Sequence, residues 1–260
     1  MLLTVDIGNT HISLGGYEEN RLVFVAQLLS HPMLTSDQYA VELQQIMMLY
    51  HTEPAAVDGA IISSVVPELC ALFQRALKKI TGVTPLLVGP GVKTGLNILI
   101  DDPAQLGSDL VAGAVAAAAA YPLPCVVFDL GTATSVSVID KKGHFLGGMI
   151  CAGVGIMLEA LTTHTALLPH VSLEPPKNLI GRNSGECMQS GLIYGSAAML
   201  DGIAERLERQ LHEPPTLVAT GGLANLIAPH CTHSFQISEH LLLEGLRLIY
   251  EKNRKPQKSV

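Results

Sequence analysis

Two stretches of the chain share one pattern: a short apolar run, an acidic loop of small residues, then an alternating run. Leu2 to Val5 leads into Asp6-Ile7-Gly8-Asn9-Thr10, and Val126 to Phe128 leads into Asp129-Leu130-Gly131-Thr132-Ala133-Thr134. Apolar runs bounded by turn residues predict buried strands, so each Asp should end a strand and each Gly should open a tight hairpin. After the first loop, His11 to Tyr17 and Leu22 to Leu28 alternate around a Glu-Glu-Asn-Arg turn, which predicts a three-stranded antiparallel start. A helix is expected over Asp37 to His51, with Thr35 and Gln38 placed as a capping box. Then come an apolar run, Ala60 to Val66, a helix opened by Pro67 and stopped at Gly82, and the run Pro85 to Val88.

The second stretch repeats the opening. Strands are expected over Cys125 to Phe128, Ser135 to Ile139 and, after a Lys-Lys-Gly turn, His144 to Ile150. Gly153 to Thr163 and Glu186 to His212 read as helices, the longer one with Met188, Leu192, Met199, Ile203 and Leu207 spaced mainly for one buried face. Thr216 to Ala219 reads as a strand ended by Thr220-Gly221-Gly222, and Glu239 to Asn253 as a final helix that can return to the first half. The pattern predicts an α/β protein with a duplicated structure and a ligand cleft between the halves. The boundary is placed near Ala118 to Pro124, giving domains 1–118 and 119–260.

Composition narrows the function classes. At 260 residues and 48% hydrophobic content the chain can bury one large core or two ordinary ones. A formal charge of −7 argues against a nucleic-acid surface, which needs clustered Lys and Arg. The only basic cluster, Lys252 to Lys258, sits in the C-terminal tail, where side chains are usually solvated. Acid at position 6 without a basic lead leaves no room for a signal-peptide core, so a cytoplasmic location is expected. Leu110 to Phe128 is uncharged, but its Ala and Val content and Pro122 and Pro124 split it into a helix and a strand, not a membrane span. The five cysteines, Cys70, Cys125, Cys151, Cys187 and Cys231, are scattered and fit reduced thiols. His230, Cys231 and His233 could share a metal, yet a short polar loop is the favoured reading.

The acidic loops carry the chemistry. Gly lets backbone approach a ligand, successive N–H groups in a tight turn form an anion-binding concavity, and Asp can hold a cation or its water shell. One Asp-x-Gly is ordinary turn chemistry, but two copies in the same setting read as a nucleotide-phosphate clamp. Two other glycine motifs are set aside. Gly89-Pro90-Gly91-Val92-Lys93-Thr94 lacks the spacing of a P-loop, and Gly153-Val154-Gly155 lacks the third glycine and the strand-turn-helix setting of a dinucleotide fingerprint.

Taken together, the motifs resemble those of the type III pantothenate kinases, in the superfamily that joins acetate and sugar kinases, heat-shock chaperones and actin. The likeness runs from Leu2 to about Asn253. It is carried by Asp6 to Thr10, Ile62-Ser-Ser-Val-Val-Pro67, Val88 to Gly95, Gly107-Ser-Asp109, Asp129 to Thr134, Gly147-Gly148, Gly181-Arg-Asn183, Met188-Gln-Ser-Gly191, Thr220-Gly-Gly222 and Leu243 to Tyr250. The resemblance implies two ribonuclease-H-like domains with mixed sheets flanked by helices, a homodimer, and ATP-dependent phosphorylation of pantothenate. It also implies Mg²⁺ with the ATP and a monovalent cation, K⁺ or NH₄⁺. Residue by residue, it makes Asp6, Ile7, Gly8, Asn9, Thr10, His11, Ile12 and Ser13 the ATP-phosphate cradle and Thr132 a second ATP contact. Asp129 matches the monovalent-cation ligand, and Asp6 is suited to Mg²⁺ through water. Asp109 matches the proton acceptor, with Ile100, Gly107, Ser108, Leu110 and Ser184 on the pantothenate side. From the residues alone, Asp109 after Gly-Ser reads equally as the N-cap of the Ala-rich helix.

The acceptor side departs from the family pattern. Leu110 stands where Arg is usual, Ile100 where Tyr is usual with Asp102 for Asn, Ser184 for Thr, and Ala152 for Pro. Losing Arg removes a fork of donors, and losing Tyr removes a hydroxyl and an aromatic wall. Weaker pantothenate binding, or a related hydroxyl compound as acceptor, is therefore an expectation. A phosphotransferase on another hydroxyl compound and a non-catalytic nucleotide-binding regulator are the rival functions.

Overall fold

The strand and helix signals resolve in the computed structural model, which describes residues 1–31 and 33–254. In chain order the first elements are β1 (Leu2–Ile7), β2 (His11–Glu18), β3 (Arg21–Leu29), α1 (Ser36–Leu49), β4 (Gly59–Ser64), α2 (Pro67–Thr81), β5 (Leu86–Leu87), β6 (Asn97–Ile98) and α3 (Ser108–Ala120). There follow β7 (Cys125–Leu130), β8 (Ala133–Ile139), β9 (His144–Ala152), α4 (Val154–Thr163), α5 (Ser184–Leu211), β10 (Thr216–Thr220), α6 (Ala224–Ile227), β11 (Gln236–Ile237) and α7 (Leu241–Asn253). The chain divides into two units: Met1–Leu96 with Asp101–Ala116 and the segment from Leu241, and Asn97–Ile100 with Ala117–His240.

In the first unit the sheet order is β3-β2-β1-β4-β5. β1, β2 and β3 are antiparallel neighbours, while β4 returns parallel to β1 and β5 parallel to β4. The capping box forms as expected: Thr35 Oγ1 accepts from the Gln38 N–H at 3.3 Å and Gln38 Oε1 accepts from the Thr35 N–H at 2.8 Å. α2 opens on Pro67 and is closed by Gly82 in the left-handed region, φ 74°, where a side chain would be strained. Tyr39, Leu43 and Met47 of α1, with Leu69, Phe73 and Leu77 of α2, cover the face that carries Leu3, Val5, Ile7 and Ile62.

The opposite face of this sheet carries α7, and small residues let it approach. A Cβ on Gly59 would lie 2.1 Å from the Tyr250 hydroxyl oxygen, and one on Gly15 would lie 3.1 Å from Leu243 Cδ1. α7 is also seated on α3, since a Cβ on Gly245 would fall 1.9 Å from the Ala112 carbonyl oxygen. Arg247, buried in this layer, is bound by Glu244, by Glu251 at 2.5 Å and by Asn20 at 2.8 Å, and its guanidinium lies 5.9 Å from the Tyr17 ring centre. Glu244 first and then Glu251 outweigh burial and hold the guanidinium proton more tightly than usual, while burial and then Glu244 push the Tyr17 phenol up.

The second unit repeats the arrangement with the order β9-β8-β7-β10-β11, and β6 is added beyond β9. The antiparallel and parallel pairings match those of the first unit strand for strand. Val154, Leu192, Leu200, Leu207 and Ile227 cover the face bearing Val126, Phe128, Leu130 and Ala219. β6 and β11, two residues each, and the single turn α6 were not anticipated, because elements so short show no period. The uncharged stretch from Leu110 divides into the body of α3 and β7, and among the described residues no helix is long and apolar enough to cross a membrane. The basic cluster Lys252 to Lys258 lies outside the described residues from position 255 onward.

A buried carboxylate ties the segment before β11 to α5. Asp201 accepts from the backbone N–H groups of Thr232, at 2.8 Å, and His233, at 2.9 Å, and its Oδ1 stands 2.7 Å from His233 Nδ1. Burial pushes this carboxyl up, but the donors outweigh it and hold it below the ordinary Asp value. Its stabilisation is therefore complete above the unfolded Asp range, near pH 4, and is lost as pH falls through the lower folded value. Asp201→Asn should lower the stability by about 1–3 kcal/mol at pH 7. Urea midpoints should show a constant gap from the parent down to about pH 4, narrowing below it; a gap that widens in acid would contradict the assignment.

Candidate active site

In the first unit, Asp6 is the next-to-last residue of β1 and is aligned with Ser13 on β2 and Ser63 on β4. Its neighbours Val5 and Ile7 are fully buried in the core, so register fixes the carboxylate on the opposite face. The turn from Gly8 to Thr10 closes through Gly8 N–H to the His11 carbonyl at 3.0 Å. It is held from the residue that follows β3, where the Ser30 hydroxyl donates to the Gly8 carbonyl at 2.6 Å and the Ser30 N–H donates to the Thr10 carbonyl at 2.9 Å. Asn9, Thr10 and His11 are exposed, and Asp6, Gly8 and Ser13 are half-buried. Ile7 and Ile12 have side chains in the core, so only their backbone can face a ligand.

The segment Gly107 to Leu110 opens α3 in the same unit. Ser108 Oγ lies 2.9 Å from Ser63 Oγ, accepts from the Ser64 N–H at 3.0 Å and donates to the Ser64 carbonyl at 3.2 Å. The first turn of α3 is thus bound to the end of β4, whose Ser63 is the register partner of Asp6. Asp109 follows directly and is half-buried. The N-cap alternative for Asp109 does not hold: the helix begins at Ser108, and the carboxylate takes the adjacent Leu110 N–H at 2.8 Å instead of an orphan amide two or three residues on. A Cβ on Gly107 would lie 2.3 Å from Asp109 Oδ1, so glycine there makes room for the carboxylate.

In the second unit, Asp129 is again next to last in its strand, aligned with Ser135 and Thr220. Gly221, at φ 88°, passes so close that a Cβ on it would be 2.5 Å from Asp129 Oδ1 and 2.7 Å from the Leu130 carbonyl oxygen. A carboxylate and a carbonyl oxygen therefore converge on one backbone turn. The Gly131-Thr132 loop rests on the start of α4, where a Cβ on Gly153 would meet the Thr132 carbonyl oxygen at 2.1 Å. Gly153 also stands in a setting that its motif did not lead us to expect. β9 ends at Ala152 and Gly153 is the N-cap of α4, so a strand-turn-helix setting does exist, although the third glycine of a dinucleotide fingerprint is absent.

Other expected residues are set by other elements of the second unit. Ile100 lies beside β9, its Cγ2 3.7 Å from the Cβ position of Gly147. Ser184 is the exposed first residue of α5, next to the N-cap Asn183, whose side chain accepts from the Glu186 N–H at 2.9 Å. His230, Cys231 and His233 do not gather around a metal: His233 bonds Asp201, and the Cys231 thiol, pushed up to about 12 by burial, lies near backbone carbonyls. Among the described residues no group of three or more His, Cys, Asp or Glu could hold a metal by itself. Sequence reasoning passed over Ser63, Gly153 and Gly221 as site elements. A Ser-Ser pair at a strand end and Gly-Gly after a strand were the available signals, but close approach to a backbone from elsewhere has no local signature.

Gly153 and Gly155 give a controlled comparison within one helix. Gly153→Ala should lower stability by about 1–3 kcal/mol, because the new methyl must displace a backbone carbonyl. Gly155→Ala, with open space around its Cβ position, should raise it by about 0.4–1 kcal/mol. Chemical denaturation of both variants checks the pair, and equal effects would contradict the close approach.

A family model described as type III pantothenate kinase matches residues 2–206. The chain is 41% identical over 254 residues to the type III pantothenate kinase of Anaeromyxobacter sp. (strain Fw109-5), covering 98% of this chain and 100% of that one. It is 39% identical over 253 residues to the type III pantothenate kinase of Halalkalibacterium halodurans, covering 97% of this chain and 100% of that one. Among solved structures, the (R)-2-hydroxyglutaryl-CoA dehydratase component A of Acidaminococcus fermentans matches with a TM-score of 0.58 at 13% identity, over 97% of this chain and 99% of that one. The inorganic polyphosphate/ATP-glucomannokinase of Arthrobacter sp. strain KM matches with a TM-score of 0.51 at 13% identity, over 97% and 99% of the two chains. At such identities the structural likeness is one of fold alone, two units each built on a mixed sheet. The sequence matches go further and run through both sheets and both acidic loops: the chain belongs to the type III pantothenate kinase family.

Proposed function

We propose that this protein transfers the γ-phosphoryl group of ATP to the primary hydroxyl of pantothenate, giving 4′-phosphopantothenate and ADP, the first step toward coenzyme A. The observation that carries the reading is the 41% identity to a type III pantothenate kinase across 98% of the chain. The geometry supports the division of roles. The turn between Asp6 and Ser13, exposed at Asn9 to His11 and anchored by Ser30, offers backbone N–H groups and small polar side chains to phosphate. Membership of the family makes Thr132 a second ATP contact. Asp109 accepts the proton of the pantothenate hydroxyl as its oxygen bonds to the γ-phosphorus. The bond from that phosphorus to the β–γ bridging oxygen breaks, and ADP leaves. Membership of the family assigns Gly107 to Leu110, Ile100 and Ser184 to the acceptor.

Neither acidic loop contains Lys or Arg, so backbone donors and bound cations must offset the ATP charge in a protein of net charge −7. The residues fit such ions. Mg²⁺ usually keeps several waters and takes one or two carboxylates plus substrate phosphates, and Asp6 at the mouth of the turn can serve as that carboxylate. Asp129 Oδ1 and the Leu130 carbonyl, both close to Gly221, would supply two of the oxygens for a K⁺ or NH₄⁺ ion. When bound, these ions neutralise charge on the transferring phosphoryl group.

A homodimer is supported by exposed apolar side chains on the second unit, among them Ile150, Leu167 and Ile180. A cytoplasmic setting is supported by five unpaired cysteines. A second reading, phosphotransfer to another hydroxyl compound, is favoured by Leu110 and Ile100, which offer neither the donor fork nor the phenol of the usual pattern. A pure nucleotide-binding regulator would have no use for Asp109 in its half-buried place.

Pantothenate-dependent ADP release tests the assignment. Asp109→Asn should lower kcat by about 10²- to 10⁴-fold while ATP still binds. A parent-like rate would remove Asp109 as the base, and absence of any pantothenate-dependent turnover in the parent would remove the substrate assignment. Chelation of divalent metal should abolish turnover; undiminished activity would exclude the proposed charge compensation. The double change Leu110→Arg with Ile100→Tyr should lower the pantothenate KM, and an unchanged KM would show that these positions do not weaken acceptor binding.

A further inference from the structure

We infer that Ser108 is a positioning residue whose hydroxyl, clasped by Ser63 and Ser64 of β4, fixes where the Asp109 carboxylate stands, and that it does not bind pantothenate through its side chain. The inference rests on the reading of Asp109 as proton acceptor. A serine hydroxyl has one donor position and two acceptor positions. Ser108 donates to the Ser64 carbonyl at 3.2 Å, accepts from the Ser64 N–H at 3.0 Å and meets Ser63 Oγ at 2.9 Å, so all three positions are taken inside the protein. None remains for a substrate.

The clasp acts on a short lever. Ser63 is fully buried in the sheet, and β4 is locked to β1 by the pairing of Asp6 with Ser63 and Ile7 with Ser64. Ser108 and Asp109 are consecutive in the first helical turn, so movement of one carries the other. The rest of α3 is held from another side, where Gly245 of α7 lies against the Ala112 carbonyl. Around the carboxylate itself, the Leu110 N–H binds Oδ1 at 2.8 Å and Gly107 leaves the space that Oδ1 occupies. Without the Ser108 hydroxyl, the helix start would remain attached only through its flanks. A general base displaced by about 1 Å can lose on the order of 10²-fold in rate while substrates still bind.

The test compares Ser108→Ala, Ser108→Thr, Asp109→Asn and the double change Ser108→Ala with Asp109→Asn, reading kcat, both KM values and the melting temperature. Ser108→Ala should lower kcat by about 10- to 100-fold with both KM values within about twofold of the parent. Ser108→Thr, which keeps the hydroxyl, should recover most of that loss. The double variant should be no slower than Asp109→Asn alone, because Ser108 acts only through the base. A raised pantothenate KM at unchanged kcat in Ser108→Ala would overturn the inference in favour of direct substrate contact. Multiplying losses in the double variant would also overturn it. A crippled Asp109→Asn beside an unimpaired Ser108→Ala would remove the clasp and leave the base in place, whereas a parent-like Asp109→Asn would remove the base and the clasp together. Should Ser108→Ala fail to fold, Ser63→Ala, which deletes one of the three contacts, carries the same comparison: a smaller fall in kcat at constant KM supports the clasp, and an unchanged kcat overturns it.

Discussion

Both units depend on one constraint: their central strand must be paired on both sides, antiparallel to the strand that follows it and parallel to a strand that returns after helical structure. Parallel and antiparallel ladders each align residues whose side chains share a face, and a slip of one residue would turn every side chain over. In β1 this alignment sets Asp6 beside Ser13 and Ser63, and in β7 it sets Asp129 beside Ser135 and Thr220. Val5 and Ile7, like Phe128 and Leu130, are locked into the cores on the other face. The carboxylate at each strand end, with hydroxyl residues at its sides, is thus a product of core burial. Neither acid could turn inward without placing two large apolar side chains on the wrong face.

The same constraint brings backbones close together, and charge then decides what such places can hold. Gly221 passes against Asp129, and Gly153 sets the N-terminus of α4 under the Thr132 carbonyl. With no cationic side chain in either acidic loop, backbone dipoles are the fixed positive charge that these turns themselves carry.

The repeat was legible because each copy writes its strand, turn and strand in consecutive residues. Thr35 with Gln38, and Pro67 with Gly82, marked α1 and α2 through local capping chemistry that needs no tertiary information. Asp109 was harder. Gly-Ser-Asp before an Ala-rich run fits an N-cap at Asp109, two residues later than the Gly107 the chain uses, and what shifts the start is the demand of Ser108 for partners on β4, 44 to 45 residues earlier in the chain. The glycine contacts were illegible for the same reason: Gly245 matters because of Ala112, and Gly153 because of Thr132, and neither partner lies within its turn. Two-residue strands such as β6 and β11 exist only by virtue of the edge they join.

Three of the departures from the expected family pattern fall where the fold constrains little. Ser184 is exposed beside a cap made by Asn183, so its own side chain is not needed to start α5. Leu110 is half-buried on the first turn of α3, contributing its N–H to Asp109 whatever its side chain. Ile100 abuts Gly147 without lying in a strand. Replacing any of these leaves both registers, the Ser108 clasp and the glycine approaches intact. By contrast, Gly153 and Gly221 cannot take a side chain without moving a backbone. Positions 100, 110 and 184 can therefore vary while these backbone approaches stay fixed, because the two sets of residues answer to different physical demands.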